Sequence, residues 1–350
     1  MSDRIPAAVL GATGMVGQYF VSLLANHPWF SLDAVVASDR SAGKRYADAC
    51  RWLLSADMPE QARNLEVSPL RAELSARVVF SALPSDVAGA VEVDYAKRGH
   101  MVFSNASSHR MDPLVPLLVP EVNHAHAAVL HEQRRQKGWS GFIVTNPNCS
   151  SAVLVSALHP LQQAFGLERV MVTTLQAVSG AGYPGLSSLD ILDNAVPYIG
   201  GEEAKMESEP LKMLGSFSDG ALHPANFKVS AHCNRVATRD GHLECVSVTL
   251  GADASLDDVA QAFRAYTSLP QELNLPTAPP RPVILRTEPD RPQTRLDRDA
   301  GNGMATSVGR LRECSLLGIK FVALGSNTMR GAAGGSVLNA ELLKVQGLLD

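Results

Sequence analysis

The order of patterns along the 350-residue chain predicts an α/β protein in two parts: an open parallel sheet with helices on both faces, then a β-rich second domain. Three observations carry this prediction. Short apolar, β-branched runs alternate with helix-period stretches over residues 1–147. A glycine-spaced turn joins the first strand to the first helix. Beyond residue 148 longer β-rich runs dominate, broken by a polar, glycine-rich insertion and a proline-rich linker.

In chain order, an apolar strand from Ile5 runs into Gly11, Gly14 and Gly17, and residues 18–26 follow with helical periodicity. Glycine permits the tight turn and close backbone approach that a pyrophosphate at a helix N-terminus requires; a purely structural turn is the alternative. A second strand, 32–37, ends in Ser38-Asp39-Arg40-Ser41-Ala42-Gly43-Lys44. At the tip of this strand a Rossmann domain separates NAD from NADP, an acid suiting ribose hydroxyls and Ser, Arg or Lys a 2′-phosphate. Ser38, Arg40, Ser41 and Lys44 point to NADP, Asp39 points the other way, and a solvated loop is the alternative. Strands follow at 78–82 and 101–104, with a helix over 85–97 between them. Residues 104–110 form a polar loop at a strand end, and Arg110 there is either a phosphate-binding cation or a surface charge. Residues 115–122 cross towards the middle of the chain, and a basic helical piece spans 126–137.

The apolar run 143–145 stops at Asn146-Pro147-Asn148, and a helical pattern begins after Cys149. Asn-Pro disfavours further regular structure and Asn or Ser supplies an N-cap, which places Cys149 in a first helical turn. Free N–H groups and the helix dipole there lower a thiol pKa and favour a nucleophilic thiolate; a small buried residue at a strand–helix junction is the alternative. Further on, 169–177, 229–231 and 243–250 are β-rich and predict an antiparallel sheet. The insertion is 179–219, the linker 269–286, and 321–349 reads as a strand, Gly325-Ser326-Asn327-Thr328, and an apolar helix returning to the first domain.

Hydrophobic residues at 45% and charged residues at 19% describe a globular chain, and a net charge of -4 shows no bias towards nucleic acid or a membrane surface. No apolar run spans a bilayer, and residues 1–6 enter structure at once without a signal-peptide layout, so a cytoplasmic protein is expected. Cys50, Cys149, Cys233, Cys245 and Cys314 are odd in number and lack metal-ligand spacing, so no metal site is expected.

The motifs in this order resemble the aspartate-β-semialdehyde dehydrogenase family, in particular its archaeal and fungal branch. The likeness runs nearly end to end, through Gly11-Ala-Thr-Gly-Met-Val-Gly17, Ala37-Ser-Asp-Arg-Ser-Ala-Gly-Lys44, Phe80-Ser-Ala-Leu-Pro-Ser-Asp86 and Val119-Pro-Glu-Val-Asn123. It continues through Asn146-Pro-Asn-Cys149, Gln176-Ala-Val-Ser-Gly-Ala-Gly182, Gly200-Gly-Glu-Glu-Ala-Lys205, Cys233-Asn-Arg235 and Asp240-Gly-His242. Asn-x-Cys-Ser followed later by Arg-x6-His is the most discriminating combination.

The resemblance implies a glyceraldehyde-3-phosphate-dehydrogenase-like arrangement. A Rossmann NADP-binding domain at 1–147 is completed by a C-terminal helix within 328–350, and an α+β catalytic and dimerisation domain occupies 148–327. It implies Cys149 as the nucleophile that leaves a thioester, His242 as general acid/base, Gln176 as the residue orienting the acyl group, and Asn148 at the thioester oxygen. For the substrate it implies Arg235 on the α-carboxylate, Glu202 on the amine with Glu203 as the one-register alternative, and Lys205 and Arg110 on phosphate. Gly11, Thr13, Gly14, Met15, Val16, Ser38, Arg40, Ser41, Lys44, Ser81, Ser104, Ser179 and Gly182 are implied to line NADP, with Asn327 on the nicotinamide amide. The implied reaction reduces L-aspartyl-4-phosphate to L-aspartate 4-semialdehyde with release of phosphate, on the way to lysine, threonine and methionine. A homodimer or dimer of dimers is implied, with no nucleic-acid or membrane partner. Malonyl-CoA reductase, N-acetyl-glutamyl-phosphate reductase and a non-catalytic NADP-binding regulator are the rival readings. His232 is the rival histidine, and Cys233, Cys245 and Cys314 are expected in the core. Alternation along a regular strand puts Arg235 and His242 on opposite faces, unless the Arg239-Asp240-Gly241 turn resets the register.

Overall fold

The computed structural model describes residues 4–349; residues 1–3 and 350, the extremities of the expected N-terminal entry and C-terminal helix, lie outside them. Strands β1 (Ile5–Leu10), β2 (Phe30–Val36), β3 (Val67–Ser68), β4 (Val78–Ser81), β5 (Met101–Ser104) and β6 (Phe142–Thr145) form one sheet in the order β3-β2-β1-β4-β5-β6. Every pairing in it is parallel. β4, β5 and β6 are buried at every position, as near-continuous Val, Ile and Phe runs must be when helices cover both faces. Those helices include α1 (Met15–Ala25), α2 (Ser85–Lys97) and α3 (Val129–Lys137). Phe20 of α1 stacks on Phe80 at 5.0 Å, Phe80 meets Phe103 at 5.6 Å, and Phe103 meets Phe142 edge-on at 6.1 Å. This aromatic row crosses β4, β5 and β6 on one face, and such pairs each add about 0.5–1.5 kcal/mol beyond the area they bury. The strand order reverses between β1 and β4, so ligands belong in the crevice beyond their carboxyl ends.

Helix α4 (Cys149–Phe165) leaves β6 through Asn146–Pro147–Asn148 and enters the second core. There β7 (Leu167–Gln176), β8 (Ala195–Val196), β11 (Lys228–Val236), β12 (His242–Leu250), β13 (Val283–Leu285), β14 (Thr306–Cys314) and β15 (Gly318–Gly325) form a sheet in the order β13-β14-β15-β12-β7-β11-β8. A small hairpin of β9 (Ser216–Ser218) and β10 (Ala221–His223) stands apart. The expectation of an antiparallel sheet is corrected: β7 pairs with β11, and β13 with β14, in parallel. For β7 and β11 the cause is the 179–219 insertion, which contains helix α5 (Glu202–Met213) and so returns the chain to run alongside β7; the long connection 286–305 does the same for β13 and β14.

One face of this sheet packs on α4, α5 and α6 (Leu256–Ala265), burying Val153, Leu154, Leu158, Val172, Met206, Val246, Phe263 and Phe321. The other face carries Met171, His232 and Cys245, which are exposed. Cys245 is therefore not a core residue: it alternates with buried Glu244 and Val246 and points outwards. Cys314, at the end of β14, is also only half-buried, whereas Cys233 is core. The final helix, α7 (Ala333–Val345), returns to the first core, where Val337, Leu338 and Leu342 pack with Phe20 and Leu24. A buried bidentate pair, Arg330 to Glu121 at 2.7 and 2.8 Å, anchors the approach to that helix.

Candidate active site

Asn148 caps α4: its Oδ1 accepts from the backbone N–H groups of Ser150 and Ser151 at 2.9 and 3.1 Å. Cys149 thus stands at the first helical position, and its Sγ lies 3.1 Å from His242 Nε2. Strand order brings the rest together. Arg235 of β11 is opposite Gln176 of β7, Leu175 of β7 is opposite Leu243 of β12, and His242 is opposite Gly325 of β15. Arg235, Gln176 and His242 therefore fall side by side on one rung and one face. The register conflict between Arg235 and His242 disappears because β11 and β12 are not neighbours; β7 lies between them. His232, an odd number of residues from Arg235, faces outwards and is exposed.

Glu202, at the start of α5, is buried and accepts from Asn148 Nδ2 at 2.8 Å and Gln176 Nε2 at 3.0 Å. Lys205, one turn on, has its Nζ 3.5 Å from the same carboxylate. Glu203 is exposed and takes the backbone N–H of Cys233, so the register favours Glu202 at the site. Arg235 is buried, and its Nη1 donates to Ala177 O at 2.7 Å. Arg110 is neither a surface charge nor a free cation. It is buried and donates to Asn146 O, Glu209 Oε1 and Asn105 O at 3.0, 3.0 and 2.7 Å.

The hydrogen bonds assign the histidine tautomer. Nδ1 of His242 accepts the backbone N–H of Ala177 at 3.1 Å, and an amide can only donate, so a neutral ring carries its proton on Nε2, towards the sulfur. Burial, with Arg235 adding to it, pushes His242 down to about 3. Burial also pushes the Cys149 thiol up to about 12, Glu202 adding to the rise against the pull of Arg110, Arg235 and the Ser150 N–H. The expected low thiol pKa is not what these surroundings favour: burial and Glu202 raise the thiol against the helix terminus and the two guanidiniums, even though Cys149 itself is only half-buried.

Asn148, Cys149, Gln176, Glu202, Lys205, Arg235 and Arg110 line a cavity of about 900 Å³ that runs from there to the glycine turn at Thr13, Gly14, Met15 and Val16. Gly11, at φ +72°, makes that turn, and a Cβ on it would lie 2.7 Å from Ala82 O. A Cβ on Gly17 would lie 2.2 Å from Gly11 O, so the turn and α1 can pack only as glycines. Gly14 is an N-cap without a side-chain cap, which leaves the first N–H groups of α1 facing the cavity, the arrangement a pyrophosphate needs. Ser179, Gly182 and Asn327 line the same space, Asn327 being held by Gly241 N–H at 2.9 Å and by Ser179 Oγ at 2.9 Å. Ser81 and Ser104 do not face it. Both are buried, and Ser104 Oγ donates to Glu92 at 2.7 Å, so the neighbouring Ala82 and Asn105 line the cavity in their place. Ser38 and Arg40 are exposed at the end of β2 and Ser41 is half-buried, while Lys44 Nζ is bonded to Arg40 O at 2.7 Å; this turn lies outside the cavity lining.

Sequence reasoning missed Gly180, Gly331 and Arg51. A Cβ on Gly331 would lie 2.5 Å from Cys149 Cβ, and one on Gly180 2.7 Å from Arg235 Nη1. The guanidinium of Arg51 lies over the Tyr183 ring at 5.1 Å, at the nucleotide end of the cavity. The glycine-rich stretch Gly331-Ala-Ala-Gly-Gly335 at the start of an apolar helix was the available signal for Gly331.

Two family models match the chain: the semialdehyde dehydrogenase NAD binding domain over residues 6–130, and the semialdehyde dehydrogenase dimerisation domain over residues 158–330. An aspartate-semialdehyde dehydrogenase of Archaeoglobus fulgidus is 50% identical over 341 residues, 97% of this chain and 98% of that protein. The crystal structure of aspartate semialdehyde dehydrogenase with NADP from Candida albicans is 43% identical, has a TM-score of 0.91, and is matched over 99% of this chain and 100% of that one. A malonyl CoA reductase (NADP) of Metallosphaera sedula is 42% identical over 356 residues, 100% of this chain and 99% of that protein.

Proposed function

The chain belongs to the aspartate-semialdehyde dehydrogenase family, of the archaeal and fungal kind, and from that premise we propose the NADP-dependent reductive dephosphorylation of L-aspartyl-4-phosphate to L-aspartate 4-semialdehyde, a step towards lysine, threonine and methionine. The observation that supports it most directly is Cys149, 3.1 Å from His242, in a cavity with cations at one end and a glycine turn at the other.

In this reading Arg235 holds the α-carboxylate as a planar fork, Glu202 the α-ammonium and Lys205 the phosphate, with Arg110 beside it. Gln176 and Asn148 direct their amides at the acyl oxygen, both already oriented by Glu202. Cys149 Sγ attacks the acyl carbon and the bond to phosphate breaks. The thiol proton leaves with the phosphate as hydrogen phosphate, since Nε2 of His242 already carries a proton and offers no lone pair. The glycine turn at Thr13, Gly14, Met15 and Val16 would hold NADPH, with Ser38, Arg40, Ser41 and Lys44 assigned to its 2′-phosphate and Asn327 to its amide, and the cofactor held there would supply the hydride. His242 donates its Nε2 hydrogen bond to the oxyanion and then to the sulfur as the carbon–sulfur bond breaks. The thiolate takes a proton from water and returns to its resting form.

The test is the reverse reaction of the purified chain with aspartate semialdehyde, phosphate and NADP, followed by NADPH absorbance. NADPH formation that requires phosphate is the expected result, and its absence sinks the reading. The Metallosphaera sedula relative supports one second reading, malonyl-CoA reduction; CoA release without phosphate dependence would select it. The nucleotide half is read as 1–147 with the C-terminal helix, and the catalytic half as 148–327. Assembly as a homodimer or dimer of dimers through the exposed sheet face is supported by the dimerisation-domain match and by exposed Met171. A cytoplasmic location is supported by five free cysteines. Among the described residues no helix is long and apolar enough to cross a membrane.

A further inference from the structure

Helix α5 carries Glu202, Lys205, Glu209 and Lys212 at spacings that share one helical stripe. The first two have places in the proposed reaction. Glu209 does not, yet it is 2% exposed and fully engaged with the segment that presents the nucleophile. Its Oε2 accepts the backbone N–H of Asn148 at 2.7 Å, and its Oε1 accepts from Arg110 Nη1 at 3.0 Å. Arg110 in turn donates to the carbonyl of Asn146 at 3.0 Å. The ion pair therefore grips Asn146-Pro147-Asn148 at both ends, one residue before Cys149. Lys212, one turn further along α5, bonds the carbonyls of Arg110, Asp112 and Val115 at 2.6, 2.7 and 2.8 Å and fixes the loop from which Arg110 projects.

We propose that Glu209 is a positioning residue for the reaction: it holds the Asn148 amide so that Cys149 and the Asn148 side chain keep their aim, and it holds Arg110 with its charge matched until the substrate phosphate arrives to share it. The inference rests on Cys149 being the nucleophile and Arg110 standing at the phosphate. A guanidinium paired with one carboxylate still has charge and edge to offer a dianion, but its field at a neighbouring thiol is tempered. The charged and titratable groups facing Cys149 are His242, Arg235, Arg110 and Glu202. Those acting on or beside the Glu209 pair are Arg110, Lys212 and, from α2, Glu92. Glu209 is thus the group that sets how much of the Arg110 charge reaches the sulfur.

The experiment uses Glu209→Gln, which keeps the side-chain length and a carbonyl oxygen for the Asn148 N–H and removes the charge. Iodoacetamide labelling of the Cys149 peptide is followed by mass spectrometry, with a small free thiol added to each reaction as the reference for reagent activity. The labelling rate at a pH of about 8 is expected to rise about three- to tenfold, because uncompensated Arg110 favours the thiolate. The KM for phosphate in the reverse reaction is expected to fall by a similar factor, with NADP affinity by fluorescence titration unchanged. Glu209→Leu also removes the acceptor for Asn148, and kcat is expected to fall at least about tenfold with NADP affinity retained. A Glu209→Gln protein whose labelling rate and phosphate KM match the wild type overturns the proposal, whether or not Glu209→Leu folds. Labelling needs no substrate, so a wild-type chain inactive on aspartate semialdehyde would refute the proposed reaction and leave the labelling comparison to decide the role of Glu209.

Discussion

Cys149 is subject to two opposing influences, and their sizes decide its state. The helix terminus and the guanidiniums of Arg110 and Arg235 favour the thiolate, whereas burial and Glu202 favour the thiol, and burial is the largest of these. Cys149→Ala is expected to abolish turnover with NADP affinity unchanged by fluorescence titration; retained turnover would remove Cys149 from the chemistry. Gly331 has no room for a side chain, because an added methyl would lie 2.5 Å from Cys149 Cβ and 2.7 Å from Cys149 Cα, backbone included. Gly331→Ala is expected to lower kcat about a hundredfold while melting within a few degrees of the wild type, and a normal kcat would show that the segment yields easily. Cys149 and Asn148 were legible in the sequence because a cap and a first turn are written within four residues. Glu209 was not, since its partners, Arg110 and Asn148, are 99 and 61 positions away.

Helix α5 shows where reading by element failed. Its stretch follows two glycines and contains Pro210, so the insertion reads as irregular, yet it folds into the helix that supports the site. Pro210 is the ninth residue of that helix and costs it an internal hydrogen bond, a loss offset by the burial of Met206, Met213 and the proline itself. Helix α6 was legible and missed: Ser255 and Asp258 form a capping box, the Ser255 hydroxyl taking the Asp258 N–H at 3.2 Å and Asp258 taking the Ser255 N–H at 3.0 Å. Ser255→Ala is expected to cost about 1 kcal/mol in urea unfolding and to leave kcat unchanged, since the cap is remote from the cavity. A loss below a few tenths of a kcal/mol would mean that tertiary packing alone sets that helix start.

Over the whole molecule, the C-terminal return depends on Arg330, buried with Glu121 and also bonded to Ser156 Oγ at 3.1 Å. Glu121→Gln leaves a buried guanidinium without its counter-charge and is expected to destabilise by about 3–5 kcal/mol in urea unfolding. A change under about 1 kcal/mol would show that water reaches the pair. Acid stability follows from buried imidazoles, among them His109, which burial also holds down. Burial holds His126 and His159 down to about 4 and His242 to about 3, below the ordinary 6.5. The unfolded chain therefore takes up protons first as pH falls. The stability these groups contribute is complete above about 6.5 and is lost through about 4 and 3. Melting temperature is expected to fall steadily from about pH 6.5 downwards, and a flat profile to about pH 4 would contradict their neutral burial. Glu92 works in the opposite direction: burial raises it to about 7, so its contribution is lost as pH rises through that value.

What the sequence determined by itself was whatever nearby residues decide. The glycine turn into α1, the parallel alternation of the first sheet and Cys149 at a capped helix start depend on sterics, periodicity and N–H groups within a few positions. Only the tertiary structure decided that β7 lies between β11 and β12, which puts Arg235 and His242 on one face. Only it decided that Ser104 turns to Glu92, that Glu209 holds both Arg110 and the Asn148 amide, and that burial raises the Cys149 thiol. The physical reason is common to all of these: strand order and desolvation belong to the packed chain as a whole, and no short stretch of residues specifies either one.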